Sequence, residues 1–374
     1  MRRSAWVEVD LEAVRHNIRE LRRITRPESQ IMAVVKANAY GHGALEVSRA
    51  ALEAGAKWLA VATLDEAQEV RQGGIAAPVL ILGDTLHERA KEVLRGGFRQ
   101  AVFDCKLPEA LSRAACSCGF PARVHIKVDT GMSRIGFSWE KEALEAAQRI
   151  RLLPGVEIEG VFTHLATADW ADKEFAHEQL RRFIAVCGQI QKAIGKPFLR
   201  HAANSAAVID LPESHFDIVR PGISIYGLYP SDEVDCSRIG LRPAMAVKAR
   251  IIQIKDVPAG VSVSYGRTYY TPHATRIATL PIGYADGYPR LLSNRGEVLV
   301  RGKRAPVAGR VCMDQLMIDI GHITGVEVGS EVVLLGEQES QRITAEEWGK
   351  WAETINYEVV TRMGPRLERV FVNR

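Results

Sequence analysis

The sequence predicts a (β/α)8 barrel of the TIM-like class, α/β, followed by a mostly antiparallel β domain. Three observations predict it. A strand–helix unit recurs through the first two-thirds of the chain, its strands are apolar throughout rather than alternating, and the texture changes after about Leu241. Continuous apolar runs are what parallel strands covered on both faces require. Eight such units in about 200 residues favour ring closure over an open doubly wound sheet.

The elements follow in order. Trp6-Val7-Glu8-Val9-Asp10 alternates as a short strand, so folding starts at about residue 4, and this strand (about 4–10) is available to the second domain. Apolar β-branched runs then occur at residues 31–35, 58–62, 78–82, 100–103, 123–128, 158–164, 199–203 and 218–220. Amphipathic helical patterns separate them. The clearest carries Leu180, Phe183, Ile184, Cys187, Ile190 and Ile194; another carries Ala143, Leu144, Ala147 and Ile150. Alternating strands appear at 247–254, 276–280, 297–300, 305–311, 316–320 and 331–335, and one helix pattern spans 344 to about 362. The expected domains are residues 1–240, the barrel, and 241–374, the β domain.

Composition excludes several functions. Lys and Arg number 49 against 45 Asp and Glu, a surplus of four with no long run of like charge, so no nucleic-acid footprint is present. With 47% apolar residues the chain is no disordered polymer, yet no window of 18 apolar residues offers a membrane span. Arg2-Arg3 is followed by no apolar stretch, so an export signal is not expected and a cytoplasmic location is. The six cysteines (Cys105, Cys116, Cys118, Cys187, Cys236, Cys312) form no CxxC, and Cys116, Cys118 and His125 match no structural zinc pattern; reduced thiols and no metal are expected.

In such barrels the chemistry sits at the C-terminal ends of the strands. Those ends hold Lys36, Lys127 with Asp129, His164, Asn204 with Ser205, and Arg220 with Gly222. Any one of them alone is an ordinary strand terminus; five strands ending this way form a cluster. Lys36 closes the apolar run IMAVVK, where desolvation lowers a lysine's pKa and frees its amine for Schiff-base chemistry. The loops after strands seven and eight, Ala203-Asn204-Ser205-Ala206 and Arg220-Pro221-Gly222-Ile223-Ser224, suit a single phosphate. No GxGxxG or GxxxxGK[ST] is present, which points away from dinucleotides and nucleoside triphosphates. A reactive lysine with one phosphate pocket points to pyridoxal 5'-phosphate (PLP).

Ordered blocks over both domains then carry a resemblance. VVKANAYGHG (34–43), HIKVDTGMSRIGF (125–137), THLATAD (163–169), HAANSAA (201–207), RPGISIYG (220–227), VSYGRTY (263–269), LPIGYADGYPR (280–290) and VCMDQ (311–315) resemble the alanine racemases, fold-type III PLP enzymes. The resemblance implies interconversion of L- and D-alanine, which supplies D-alanine for peptidoglycan. It implies that Lys36 holds PLP and then acts as one racemisation base, with Tyr265 the second base on the opposite face. In the family that tyrosine enters the partner subunit's site with Met313 beside it, which implies a homodimer with composite sites. Arg220 would face the pyridine nitrogen and leave it unprotonated. His164 would link Tyr265 and Arg220. Tyr40, Asn204, Ser205, Gly222, Ile223 and Tyr357 would bind the cofactor, chiefly its phosphate. Arg134 would meet the substrate carboxylate or the cofactor's phenolic oxygen, beside a Lys127 that is often carbamylated in the family. Asp169, Arg290, Arg310 and Asp314 would line the substrate's access corridor.

Other readings are a broader-specificity racemase, a fold-type III amino-acid decarboxylase and a one-domain PLP carrier. The decarboxylases place a glutamate where this chain has Arg220 and use a multi-glycine phosphate loop, whereas Gly73-Gly74 and Gly96-Gly97 fall before the runs at 78–82 and 100–103. The carrier lacks the second domain that holds Tyr265.

Overall fold

A computed structural model describes residues 4–373; Arg2-Arg3 therefore lies outside the described residues. Two compact units are present, one made of Ala13–Ala39 with Ala44–Arg242, the other of the remaining described residues including Tyr40–Gly43.

The first unit is the expected barrel. Its parallel strands run Gln30–Val34, Trp58–Val61, Val79–Ile81, Arg99–Val102, Ala122–Asp129, Val156–Phe162, Leu199–His201 and Ile218–Val219; the first seven pair in succession, and the eighth pairs with the first through Ile218↔Gln30 and Val219↔Ile31. The seventh and eighth strands close the ring through Asp217 N–H to Arg200 O (3.0 Å) and Arg220 N–H to Ala203 O (2.9 Å). Met32, Ala33, Leu59, Ala60, Leu80, Ile81, Val124 and Ile126 are fully buried, as strands covered on both faces require. Helix ends follow local chemistry. Thr63 and Glu66 form a reciprocal capping box for Leu64–Gln72, while Lys106–Cys118 and Glu174–Ile194 stop at left-handed Gly119 and Gly195.

The second unit is built on a mixed sheet ordered Lys303–Pro306, Glu297–Val300, Glu331–Gln338, Met245–Arg250, Ala5–Asp10 and Glu368–Val372. All of its pairings are antiparallel except Ala5–Asp10 with Glu368–Val372. A three-stranded antiparallel sheet (Gln253–Val257, Thr275–Leu280, Leu316–Asp319) and a hairpin (Ser262–Val263 with Tyr269–Tyr270) complete it. Trp348 is wholly buried, its Nε1–H on Leu334 O at 2.9 Å and its ring edge-on to Tyr288 at 4.8 Å.

Three sequence expectations need correcting. The strand expected over 247–254 is two strands, because the chain changes sheets at Ile251 and Ile252: Ile251 N–H bonds Ser330 O, and Ile252 N–H bonds Thr279 O. The strand expected over 305–311 is Lys303–Pro306, with left-handed Gly309 (φ 83°) beyond it. The helix over 344–362 is Ala345–Ala352 and Asn356–Thr361, separated where Glu353 turns left-handed (φ 55°). Among the described residues no helix is long and apolar enough to cross a membrane.

Candidate active site

Five barrel strands deliver polar side chains at their C-terminal ends. Lys36 follows the first strand and is half-buried; burial and the Arg134 charge push its ammonium below the ordinary range, opposed by Glu66. Directly after it, Ala37, Asn38, Ala39 and Tyr40 all adopt the left-handed helical conformation, with φ between 51° and 53°. Each non-glycine residue there costs about 1–2 kcal/mol, so the turn needs outside support. Glu66 accepts the Ala37 N–H at 2.6 Å with one oxygen and the Ala62 and Thr63 N–H groups (2.7 and 3.2 Å) with the other. Asn38 Oδ1 accepts the Ala44 N–H at 2.8 Å. One carboxylate thus ties the end of the first strand to the end of the second.

The fifth strand carries Lys127, buried, with Nζ donating to Val128 O at 2.8 Å and lying 5.5 Å from the centre of the Phe162 ring. Burial, with the Arg220 and Arg134 charges, pushes Lys127 down to about 7; Asp129 opposes. In the loop that follows, Asp129 Oδ1 accepts the N–H groups of Gly131, Met132 and Ser133 (2.9, 2.9 and 3.1 Å), a turn that leads to the exposed Arg134.

Arg220, just past the eighth strand, is the most constrained group. Nη2 donates to Thr163 O (2.7 Å) and Ala202 O (3.1 Å) and meets His164 Nδ1 at 3.4 Å, while Nη1 donates to His201 Nδ1 at 2.9 Å. Its Nε–H has no acceptor among the described residues. The guanidinium stands 5.4 Å from the centre of the Phe162 ring, and His201 stacks on the same phenyl at 4.8 Å. Burial first, then Arg134, pushes the Arg220 pKa down, but a guanidinium stays protonated at neutral pH. His164 is held well below its ordinary pKa by burial and by Arg220, Arg134, Lys127 and Lys36, so it is neutral. In the seventh-strand loop Asn204 caps Ser205–Asp210 through Ala207 N–H (3.0 Å), and Ser205 Oγ accepts the Gly222 and Ser224 N–H groups (2.8 and 3.4 Å). Ile223 beside them is fully buried, and Asp169 is half-buried in the loop after the sixth strand.

The second unit holds the other expected residues. Tyr40 and Tyr357 face each other with ring centroids 6.3 Å apart, and burial pushes the Tyr40 phenol up to about 12. Tyr265 projects from the tip of the short hairpin and is 71% exposed. Ser264 (φ 67°) sets that tip by donating its Oγ–H to Arg310 O at 2.6 Å. The VCMDQ segment packs on GYADGY: the carbonyls of Cys312 and Met313 accept Tyr284 and Ala285 N–H (3.1 and 3.0 Å). Only glycine fits at position 283, where a Cβ would stand 2.3 Å from Cys312 O. Asp314 is paired with Arg366 at 2.7 Å, while Arg290 and Met313 are exposed.

Two family descriptions match consecutive stretches: the alanine racemase N-terminal domain over residues 9–230 and the C-terminal domain over 244–371. The chain belongs to the alanine racemase family. An alanine racemase from Desulforamulus reducens is 50% identical over 372 residues, covering all of both chains. The Clostridium difficile 630 alanine racemase structure is 39% identical with a TM-score of 0.96, covering all of this chain and 96% of that one. The Bacillus anthracis alanine racemase with bound L-Ala-P is 38% identical with a TM-score of 0.95, covering all of this chain and 96% of that one. Family membership makes the chain an isomerase, and none of these relatives is a decarboxylase or a one-domain carrier.

Several residues around this racemase-family site escaped the sequence reading: Glu66, Thr163, Phe162, His201, His125 and Glu159. His125 and Lys127 are two apart on one strand and so share a face, a signal that could have placed His125 inside the barrel. Thr63-Leu64-Asp65-Glu66 carries a local capping-box signal for Glu66, but nothing local marks its bond to Ala37, 29 positions away, or the bond from Glu159 to His125, 34 positions away.

Proposed function

We propose that this protein interconverts L- and D-alanine with PLP as cofactor, as a homodimer with composite active sites. The observation that carries the reading is Arg220: a buried guanidinium whose remaining Nε–H suits an unprotonated ring nitrogen and cannot accept from a protonated one. The rest of the donor set fits the same cofactor. Lys36 offers a partly desolvated amine, Ser205 and Ile223 offer a hydroxyl and an amide donor for a phosphate, Gly222, whose N–H is held by Ser205 Oγ, and Asn204 shape their loop, and Tyr40 and Tyr357 offer a pair of phenols.

When bound, PLP acts as the electron sink that makes the substrate's α-proton acidic. The chain's own residues do the remainder. Lys36 Nζ would hold the cofactor and, as a free amine, would move a proton at one face of the substrate's α-carbon; Tyr265 Oη would move it at the other. Arg220 would keep the ring nitrogen unprotonated, which limits side reactions, and neutral His164, whose Nδ1 accepts from Arg220, would present its Nε2–H to the tyrosine side, where it favours the phenolate. Arg134 meets the substrate carboxylate. Lys127, pushed down to about 7 and surrounded by Arg220 and Arg134, is suited as a free amine to add carbon dioxide with loss of a proton to solvent, becoming an anionic carbamate that positions Arg134. Met313 borders the pocket, and Asp169, Arg290, Arg310 and Asp314 line the access corridor.

The homodimer is supported by the exposed apolar set on the second unit, Tyr265, Tyr284, Leu291 and Met313. A cytoplasmic location and a supply of D-alanine for peptidoglycan rest on family membership alone. A chiral assay with L-alanine, L-serine, L-lysine and L-ornithine tests the activity: D-alanine is expected, and release of carbon dioxide would overturn the reading. Borohydride reduction and peptide mapping should place the phosphopyridoxyl group on Lys36; any other lysine refutes the site.

A further inference from the structure

A buried hydrogen-bonded chain runs from the barrel mouth toward the N-terminal ends of its strands. Arg220 Nη1 bonds His201 Nδ1 (2.9 Å), His201 Nε2 bonds His125 Nδ1 (2.8 Å), and His125 Nε2 bonds Glu159 Oε2 (3.2 Å). Glu159 is shared with Arg99, the first residue of its strand, through Nε and Nη2 (3.0 and 3.2 Å). Both histidines are fully buried.

The direction of every bond in this chain is determined. A guanidinium only donates, so His201 Nδ1 accepts and carries no proton. The neutral ring then has its proton on Nε2 and donates it to His125 Nδ1, which leaves the His125 proton on Nε2, aimed at Glu159. The same order follows from the other end, because a carboxylate only accepts. Burial keeps both rings neutral: His201 faces Arg220, His125 and Lys127, while His125 faces Glu159, Arg99 and Arg220.

Two backbone features serve this arrangement. Val124 pairs with Ile158 but His125 pairs with Gly160, so Glu159 is the extra residue of a β-bulge. Bulges re-aim side chains, and this one turns Glu159 toward the His125 ring. Gly160 is required by the same ring, since a Cβ there would stand 2.4 Å from His125 Nδ1.

We propose that Glu159 is a positioning residue for Arg220, acting through His125 and His201, and that the chain fixes both histidines as neutral Nε2–H tautomers. Its effect is to hold the guanidinium in one orientation with Nε–H toward the mouth, and to connect a buried cation among other cations to a carboxylate at the far end. The inference rests on the racemase reading only for what Arg220 faces.

The first test needs no substitution. Nitrogen-15 NMR of histidine-labelled holoenzyme should show both rings as neutral Nε2–H forms from pH 6 to 9; an Nδ1–H tautomer or an imidazolium at either position overturns the chain. Kinetics supply the second. Glu159→Gln keeps an oxygen for the His125 proton but loses the charge, and kcat should fall about tenfold with KM for alanine unchanged. His201→Leu should fall further, and adding Glu159→Gln to it should cost nothing more, because the chain is already cut. His201→Asn, whose amide can both accept and donate, should recover part of the loss. Additive losses, or full kcat in Glu159→Gln, refute the positioning role. If the wild type fails to racemise alanine, the functional reading fails, while the tautomer assignment is still decided by NMR.

Discussion

Removing the Glu66 carboxylate tests how the lysine is presented. Glu66→Ala strips acceptors from three backbone N–H groups, those of Ala37, Ala62 and Thr63. Loss of the capping box costs about 1 kcal/mol. Each charge-assisted bond to Ala37 and Ala62 is worth about 1.5–3 kcal/mol when buried, and about half that here because water can replace the carboxylate at a partly exposed site. The sum is about 3 kcal/mol. The left-handed turn it supports stores about 4–8 kcal/mol over four residues, so loss of the Ala37 bond should let the turn relax and carry Lys36 with it. Glu66 also favours the charged form of Lys36, so its removal lowers the lysine pKa further. The assay is urea denaturation of the apoprotein together with the rate of cofactor capture followed by absorbance. Glu66→Gln should lie between wild type and alanine, because an amide presents its NH2 to donors that need an acceptor. A stability loss under about 1 kcal/mol with unchanged cofactor capture would refute the reasoning.

Three further outcomes are expected. Tyr265→Phe should lower racemisation about 10²–10⁴-fold while cofactor absorbance stays intact, and retained activity would remove tyrosine as a base. Lys127 has a folded pKa near 7 against an ordinary value of about 10.4, so the unfolded chain binds more protons between those limits and this group's contribution to stability rises with pH across them. In carbon-dioxide-free buffer Lys127→Met should therefore gain more urea resistance at pH 6 than at pH 10.5; equal gains at both would contradict the buried-cation account. Trp348→Ala should cost about 3–5 kcal/mol, read as a lower urea midpoint for the second unit, with a smaller loss showing that the site collapses around the gap.

The eight barrel strands were legible because burial on both faces writes itself as uninterrupted apolarity. The crossing at Ile251 and Ile252 was not, since apolar residues satisfy either sheet and only the pairing partners distinguish them. At the mouth, Lys36, Lys127, His164, Ser205 and Arg220 could be found by strand position. The left-handed turn after Lys36 could not, because KANAY has an ordinary helical composition and is held by a carboxylate 29 residues away. Glu159 was hidden for a different reason: a single-residue shift in strand register decides where it points, and register is a property of two strands.

The strand Ala5–Asp10 lies between Met245–Arg250 and Glu368–Val372, with the Glu8–Lys248 ion pair spanning 240 positions. On a ribosome this strand is made before the barrel strands and is thus among the last to find its neighbours. The barrel strands can pair while synthesis continues, whereas this strand waits for Met245–Arg250 on one edge and for Glu368–Val372 on the other. Deleting the first ten residues should therefore damage the unit made last, and a permuted chain that starts at the barrel and appends this strand after Glu368–Val372 should shorten the wait.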